Sequence, residues 1–316
     1  MHYRTLGRTG VKVSVLGLGT GTRFGDPTRN QESLTRLVRG ALDLGVNYID
    51  TAAMYLEAEA RLGVALAGVP RERFVLATKI FPADKTTGTP ITPDQLRASV
   101  ENSLRQLRLE TVDVLQLHGL RLSWLGPVME KLGDELTALQ QEGKYRFLGV
   151  AETIVDDPLH EMLPAAAATG RFDQALVGYS VLSPWAEQAA LPACARAGIG
   201  AVGMVAVRQA LRDPAMLTQL IRAAKARGEA AVRDLPDENP LDWLLDGFCP
   251  SVPAAAYRFA ITHPAVASVL SGTLSLDHLR DNLASVTAPP MPVEQLARVR
   301  AIFLQTDPRQ WILYNL

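Results

Sequence analysis

The chain has 316 residues and is 47% hydrophobic, enough to bury the large core of a single α/β barrel, and no shift in composition marks a second domain. Its 32 Lys and Arg are interspersed with 33 Asp and Glu, and a net charge of −1 leaves no basic footprint for nucleic acid. No apolar run approaches the length of a membrane span, and Met1-His2-Tyr3-Arg4 opens no signal peptide. Cys194 and Cys249 lack paired-thiol or metal-ligand spacing, so a soluble, cytoplasmic protein with two reduced thiols is expected.

Tyr3–Leu6 and Val13–Leu16 flank Gly7-Arg8-Thr9-Gly10, predicting a hairpin able to plug the N-terminal end of a barrel. Val15–Thr20 is the first barrel strand and Gly21–Asn30 a polar loop. Gln31–Leu44 is a helix with Leu34, Leu37, Val38, Ala41 and Leu42 on one face. Tyr48–Asp50, Phe74–Lys79 and Val112–His118 are the next strands, separated by helices over Glu57–Leu66 and from Thr92-Pro93 to Leu107. Thr92 is a capping residue, and Pro93 suits the first helical position.

A fourth helix is expected over Pro127–Glu142, closed by Gly143. Phe147–Ala151 is the fifth strand, and Asp157-Pro158 opens a helix ending near Gly170. Strand Ala175–Val181 with helix Pro184–Ala197, and strand Gly200–Val205 with helix Pro214–Arg227, continue the alternation. Glu229–Pro250 is a long connection with a short helix around Leu241–Leu245, ahead of helix Pro253–Thr262 and the eighth strand, Ala267–Ser271. Leu276–Val286 and Val293–Leu304 are further helices, and Gln310–Tyr314 is an apolar tail. Right-handed crossovers and the lack of edge prolines or charges predict a closed (β/α)8 TIM barrel, with an N-terminal β-hairpin and extra C-terminal helices, as one domain over 1–316.

Three consecutive strands deliver Asp50, Lys79 and His118 at equivalent C-terminal positions, with Tyr55 one loop away. Singly, each has an ordinary structural reading: packing for the tyrosine, a satisfied rim histidine, a structural Lys–Asp pair. Together, at the end of a parallel barrel where sites are built, they read as proton-handling groups. His2, His160 and His263 offer no rival, and no His-x-His or Glu-x-x-His spacing supports a metal-dependent hydrolase.

These motifs resemble the aldo-keto reductases across nearly the whole chain. The likeness includes Tyr3-Arg4-Thr5-Leu6-Gly7-Arg8-Thr9-Gly10, Leu16-Gly17-Leu18-Gly19-Thr20, Asp50 to Tyr55, Thr78-Lys79, Leu117-His118, and Ser271-Gly272-Thr273 leading to Asn282. The resemblance implies a catalytic tetrad of Asp50, Tyr55, Lys79 and His118, a small-molecule aldehyde or ketone as substrate, and NADPH as cofactor, NADH also being possible. It implies cofactor contacts from Gly19, Thr20, Asp50, Glu152, Tyr179, Met204, Gly272, Thr273, Ser275, His278 and Asn282. Neither nucleic acid nor membrane is an expected partner, and the sequence carries no sign of oligomeric state.

A phenol with a reference pKa of about 10 donates a proton slowly at neutral pH, so Lys79 would supply a positive charge beside Tyr55. Asp50 would hold that ammonium charged and aimed, and a neutral His118 would orient the substrate oxygen. The chain departs from the family where the carboxamide of the nicotinamide is gripped: Ala151, Glu152, Leu176 and Met204 stand at the expected Ser, Asn, Gln and aromatic positions. Leu274 and His278 replace commonly basic residues, with Arg280 the nearest cation. The altered carboxamide pocket motivates one alternative, a redox-neutral lyase or isomerase using the same groups, and resemblance to some relatives implies another, a cofactor-binding sensor or regulatory subunit. A Schiff-base aldolase using Lys79 would not want Asp50 beside it. Phe24, Met54, Trp124, Trp185 and Trp311 are candidates for an apolar pocket, and the tail is either docked on the barrel wall or a lid.

Overall fold

The apolar runs of the sequence become ten strands in a computed structural model that describes residues 1–315, with side chains to Trp311. β1 (Tyr3–Thr5) and β2 (Lys12–Ser14) form an antiparallel hairpin in which Tyr3 opposes Ser14. The barrel strands are β3 (Leu16–Gly19), β4 (Tyr48–Asp50), β5 (Val75–Ile80), β6 (Val112–His118), β7 (Tyr145–Ala151), β8 (Gln174–Gly178), β9 (Gly200–Met204) and β10 (Val266–Ser271). They close in the parallel order β10-β3-β4-β5-β6-β7-β8-β9. The fold is the expected TIM barrel with its N-terminal hairpin and C-terminal helices.

Alternation within each strand divides its side chains between two cores. Tyr48, Val75, Ala77, Val114, Ala151, Leu176, Val202 and Ala267 pack together in the barrel interior, and Leu6 and Val13 of the hairpin join them. The hairpin therefore plugs the N-terminal end. Gly7 holds φ +49° there, and a Cβ would collide with the Gly198 carbonyl. Outside the barrel, helix Gln31–Asp43 is capped by Asn30, whose side chain accepts from Ser33 N, and buries Leu34, Leu37, Val38, Ala41 and Leu42. Each large apolar side chain buried in this way contributes about 1.5–3 kcal/mol. Helix Pro93–Leu107 has the predicted start, with a full capping box between Thr92 and Gln95.

Several boundaries differ from expectation for local reasons. Helix Leu122–Gln141 starts five residues ahead of Pro127 and keeps that proline inside. The backbone bond lost there is offset by burial of Trp124, Leu125 and Val128. Asp157 does not open a helix directly. Its carboxylate accepts from Glu161 N and Met162 N, both at 2.8 Å, and caps Met162–Ala168 after a turn in which His160 holds φ +57°. The predicted Pro184–Ala197 helix splits into a 3₁₀ turn, Trp185–Glu187, and Ala190–Arg196. A short helix, Gln209–Arg212, follows β9, and the long connection carries 3₁₀ turns at Ala230–Val232 and Asp242–Leu244. The tail forms helix Pro308–Asn315. Trp311 is buried on Phe303 and donates to Glu229 at 2.7 Å, and Gln310 is exposed; the tail side chains after Trp311 lie outside the described residues.

Candidate active site

Asp50 ends β4, His118 ends β6 and Lys79 is the penultimate residue of β5, so three neighbouring strands aim polar groups at one rim of the barrel. Lys79 Nζ donates to Asp50 Oδ1 at 2.5 Å and to the Thr51 carbonyl at 2.7 Å. Gln116 Nε2 donates to Asp50 Oδ2 at 2.8 Å. Both charged side chains are essentially sealed from solvent. Each charge compensates the other, and hydrogen bonds occupy both carboxylate oxygens.

Tyr55 projects from the loop after β4, half-buried, with Lys79 Nζ 5.0 Å from its ring centroid. His118 meets the Tyr55 ring edge-on at 5.9 Å and stacks on Phe81 at 4.5 Å. Its Nδ1 is buried without a hydrogen-bond partner. Burial first, then the charges of Lys79 and Lys85, push the His118 pKa down to about 3, so the ring is neutral at physiological pH. The four expected residues thus come together as a buried ion pair, a phenol over the ammonium and a neutral imidazole.

A cavity of about 1160 Å³ opens from this cluster towards β9, β10 and helix Leu276–Thr287. Gly19, Thr20, Asp50, Tyr55, Leu176 and Met204 line its inner part. Gly272, Thr273, Ser275, His278 and Asn282 line its other part. Ser275 caps the helix by accepting from His278 N, and Asn282 Nδ2 donates to Ser271 Oγ at 2.9 Å. The loop after β9 adds Arg208, whose Nε is buried with no hydrogen-bond partner. A half-buried guanidinium with an unsatisfied donor suits an anion in this cavity.

A strand-end Asp, Lys and His with a loop Tyr thus stand beside a long cavity that the N-terminus of helix Leu276–Thr287 helps to line. Residues 15–303 fit the Aldo/keto reductase family. The chain belongs to that family. Among curated relatives, it is 26% identical to the L-galactose dehydrogenase of Arabidopsis thaliana over 98% of this chain and 97% of that one. It is 27% identical to the NADH-specific methylglyoxal reductase of Escherichia coli K12, over 89% and 92%. A solved aldo-keto reductase from Bacillus halodurans, in its holo form, shares the fold with a TM-score of 0.69 at 24% identity, covering 96% of each chain.

Two of the expected cofactor residues stand apart from the cavity lining. Glu152 is buried against His160, whose Nδ1 lies 2.9 Å from both carboxylate oxygens, and also accepts from Gly178 N at 2.6 Å. Burial works against a charge on His160, yet the Glu152 charge and hydrogen bond beside it lift its pKa overall. The carboxylate expected to meet the carboxamide is engaged inside the protein. Tyr179 is buried on Phe259, and its hydroxyl donates to Glu187, which also pairs with Arg300 at 2.6 Å. Of the candidate pocket residues, Phe24, Trp124, Trp185 and Trp311 are buried packing, and Met54 is exposed. Arg280 pairs with Asp277 at 2.6 Å and does not line the cavity.

Sequence reasoning passed over Gln116, Phe81 and Arg208. Gln116 had a signal, since it shares the inward parity of His118 on β6 and is polar in an apolar strand. Phe81 and Arg208 lie in loops, where no periodicity marks them. No cluster of three or more potential metal ligands occurs among the described residues.

Proposed function

We propose that this aldo/keto reductase reduces an aldehyde or ketone to an alcohol at the expense of NAD(P)H, with Tyr55 as the general acid. The observation that carries this reading is the sealed Lys79–Asp50 pair under the Tyr55 ring, completed by the neutral His118. Gly272, Thr273, Ser275, Asn282 and Arg208 would hold the dinucleotide, which supplies hydride to the carbonyl carbon when bound. His118 directs the carbonyl oxygen towards Tyr55, and the phenol gives that oxygen its proton. Lys79 then faces a phenolate instead of a phenol, and the attraction between the two charges stabilises the developing anion where it forms. Solvent returns the proton to Tyr55.

Of the two dinucleotides, the match at Gly272 to Asn282 favours NADPH, and the apolar Leu274 with the tied Arg280 keeps that preference modest. Similarity to an NADH-specific relative agrees with acceptance of NADH as well. Fluorescence titration with each reduced dinucleotide, followed by its oxidation against a panel of aldehydes and ketones, tests the proposal. Binding together with carbonyl-dependent oxidation supports it, and no binding of either dinucleotide at millimolar concentration overturns it. The engaged Glu152 and the apolar Leu176 favour one alternative, a redox-neutral reaction on the same acid–base set. Product formation in the absence of any dinucleotide would select it.

A further inference from the structure

The loop after β5 is closed by its own hydrogen bonds beside the catalytic cluster. Ala83 bridges Pro90, Asp84 N donates to the Thr89 carbonyl and Gly88 N to the Asp84 carbonyl, both at 2.9 Å. The Asp84 carboxylate accepts from Thr86 N at 3.0 Å, Thr87 N at 2.8 Å and Thr87 Oγ1 at 3.0 Å. At Gly88, φ +73°, a side chain would run into the Trp124 indole, so the turn rests directly on that ring. The turn is preorganised, and its tip presents Lys85.

Lys85 Nζ lies 3.9 Å from the Phe81 ring centroid. His118 stacks on Phe81 with only 12° between the planes. The ammonium and the imidazole both pack on Phe81, joining His118, Phe81 and Lys85 into one cluster. Lys85 is exposed and has neither an ion pair nor a hydrogen bond among the described residues. The carboxylates of Asp84 and Asp50 are committed elsewhere, Asp84 to its own turn and Asp50 to Lys79 and Gln116. An exposed positive charge with no ion-pair partner among the described residues therefore packs on the same phenyl ring as the imidazole that orients the substrate oxygen. Its field reaches that ring, since Lys85 is among the causes that depress the His118 pKa.

We propose that Lys85 is a specificity-determining residue that receives a carboxylate carried by the carbonyl substrate, so that the preferred substrates are aldehydes or ketones bearing an acid group a short chain away. The proposal rests on the reductase reading above and narrows its substrate class. The two contacts keep the ammonium within about 8.4 Å of the imidazole centre, a gap that a carbonyl and a carboxylate separated by methylenes can bridge. A hydrogen bond from a charged donor accounts for about 10- to 100-fold in a specificity ratio.

The test compares 4-oxobutanoate with butanal, of equal chain length, on the full-length protein and on Lys85→Met and Lys85→Glu, with dinucleotide affinity measured separately by fluorescence. Wild type is expected to favour 4-oxobutanoate in kcat/KM. Lys85→Met should lower that ratio about 10- to 100-fold, mainly through KM. Lys85→Glu should lower it further, and dinucleotide affinity should stay within about twofold. Calorimetry with unreactive succinate should show binding to wild type and weakened binding to both variants. A wild type that reduces butanal as well as the acid, or variants with an unchanged ratio, would overturn the role of Lys85 and leave the reductase reading standing. A wild type that reduces neither compound with either dinucleotide overturns both.

Discussion

Replacing Lys79 by Met keeps the volume of the side-chain stem and deletes the ammonium. The Asp50 carboxylate is then left buried with Gln116 as its remaining side-chain donor, at 2.8 Å, and the Thr51 carbonyl loses its partner. Because the pair is sealed from solvent, water cannot take the place of the ammonium. Breaking one side of such a pair costs about 3–5 kcal/mol. With unfolding entropy of about 2.1 cal/mol/K per residue, a chain of this length should lose roughly 5–8 °C in Tm. The assay is urea unfolding followed by tryptophan fluorescence, read as the shift in midpoint at constant slope. Asp50→Asn combined with Lys79→Met removes both charges while leaving Gln116 an acceptor, and should recover at least half of the loss. A single variant within about 1 kcal/mol of wild type, or a double variant no more stable than the single one, would refute the reasoning.

Two further perturbations read separate parts of the site. With a folded-state pKa near 3 against about 6.5 in the unfolded chain, His118 stays neutral in the native protein while the unfolded chain takes up its proton. Stability from this group is therefore full above about pH 6.5 and declines as pH falls towards 3, a decline that His118→Gln should lessen in acid unfolding curves. Nitrogen NMR of the imidazole should show no titration between pH 5 and 8; a midpoint near 6.5 would contradict the burial argument. Arg208→Leu removes a guanidinium whose Nε has no protein partner, so unfolding stability should hold or rise. Affinity for either reduced dinucleotide should fall at least tenfold in calorimetry, and unchanged affinity would take Arg208 out of the anion site.

The fold was legible because the barrel strands are buried on both faces and read as short apolar runs, each followed by an amphipathic or capped helix. The catalytic cluster was legible for a related reason. A charge at the end of such a run stands out, as Asp50, Lys79 and His118 do. Gln116 carried the same signal one turn of the pleat earlier. The Glu152–His160 pair could not be read, because it depends on a left-handed backbone at His160 that folds the loop back onto the strand end. Glu152 therefore read as a rim carboxylate open to a ligand. Pro127 misled for a different reason: a proline that opens a helix and one tolerated within its second turn look alike until the burial of Trp124 and Leu125 is known. Arg208 and Lys85 lie in loops, where neither period nor parity singles out a residue.

The central claim is that Tyr55 donates the proton to a carbonyl oxygen. Tyr55→Phe keeps the ring beside Lys79 and His118 and removes only the hydroxyl. In a chemistry-limited steady-state assay on a confirmed carbonyl substrate, kcat should fall by about 10²- to 10⁴-fold, while dinucleotide affinity and unfolding midpoint stay near wild type. Turnover at the wild-type rate by Tyr55→Phe in that assay would show that Tyr55 is not the acid.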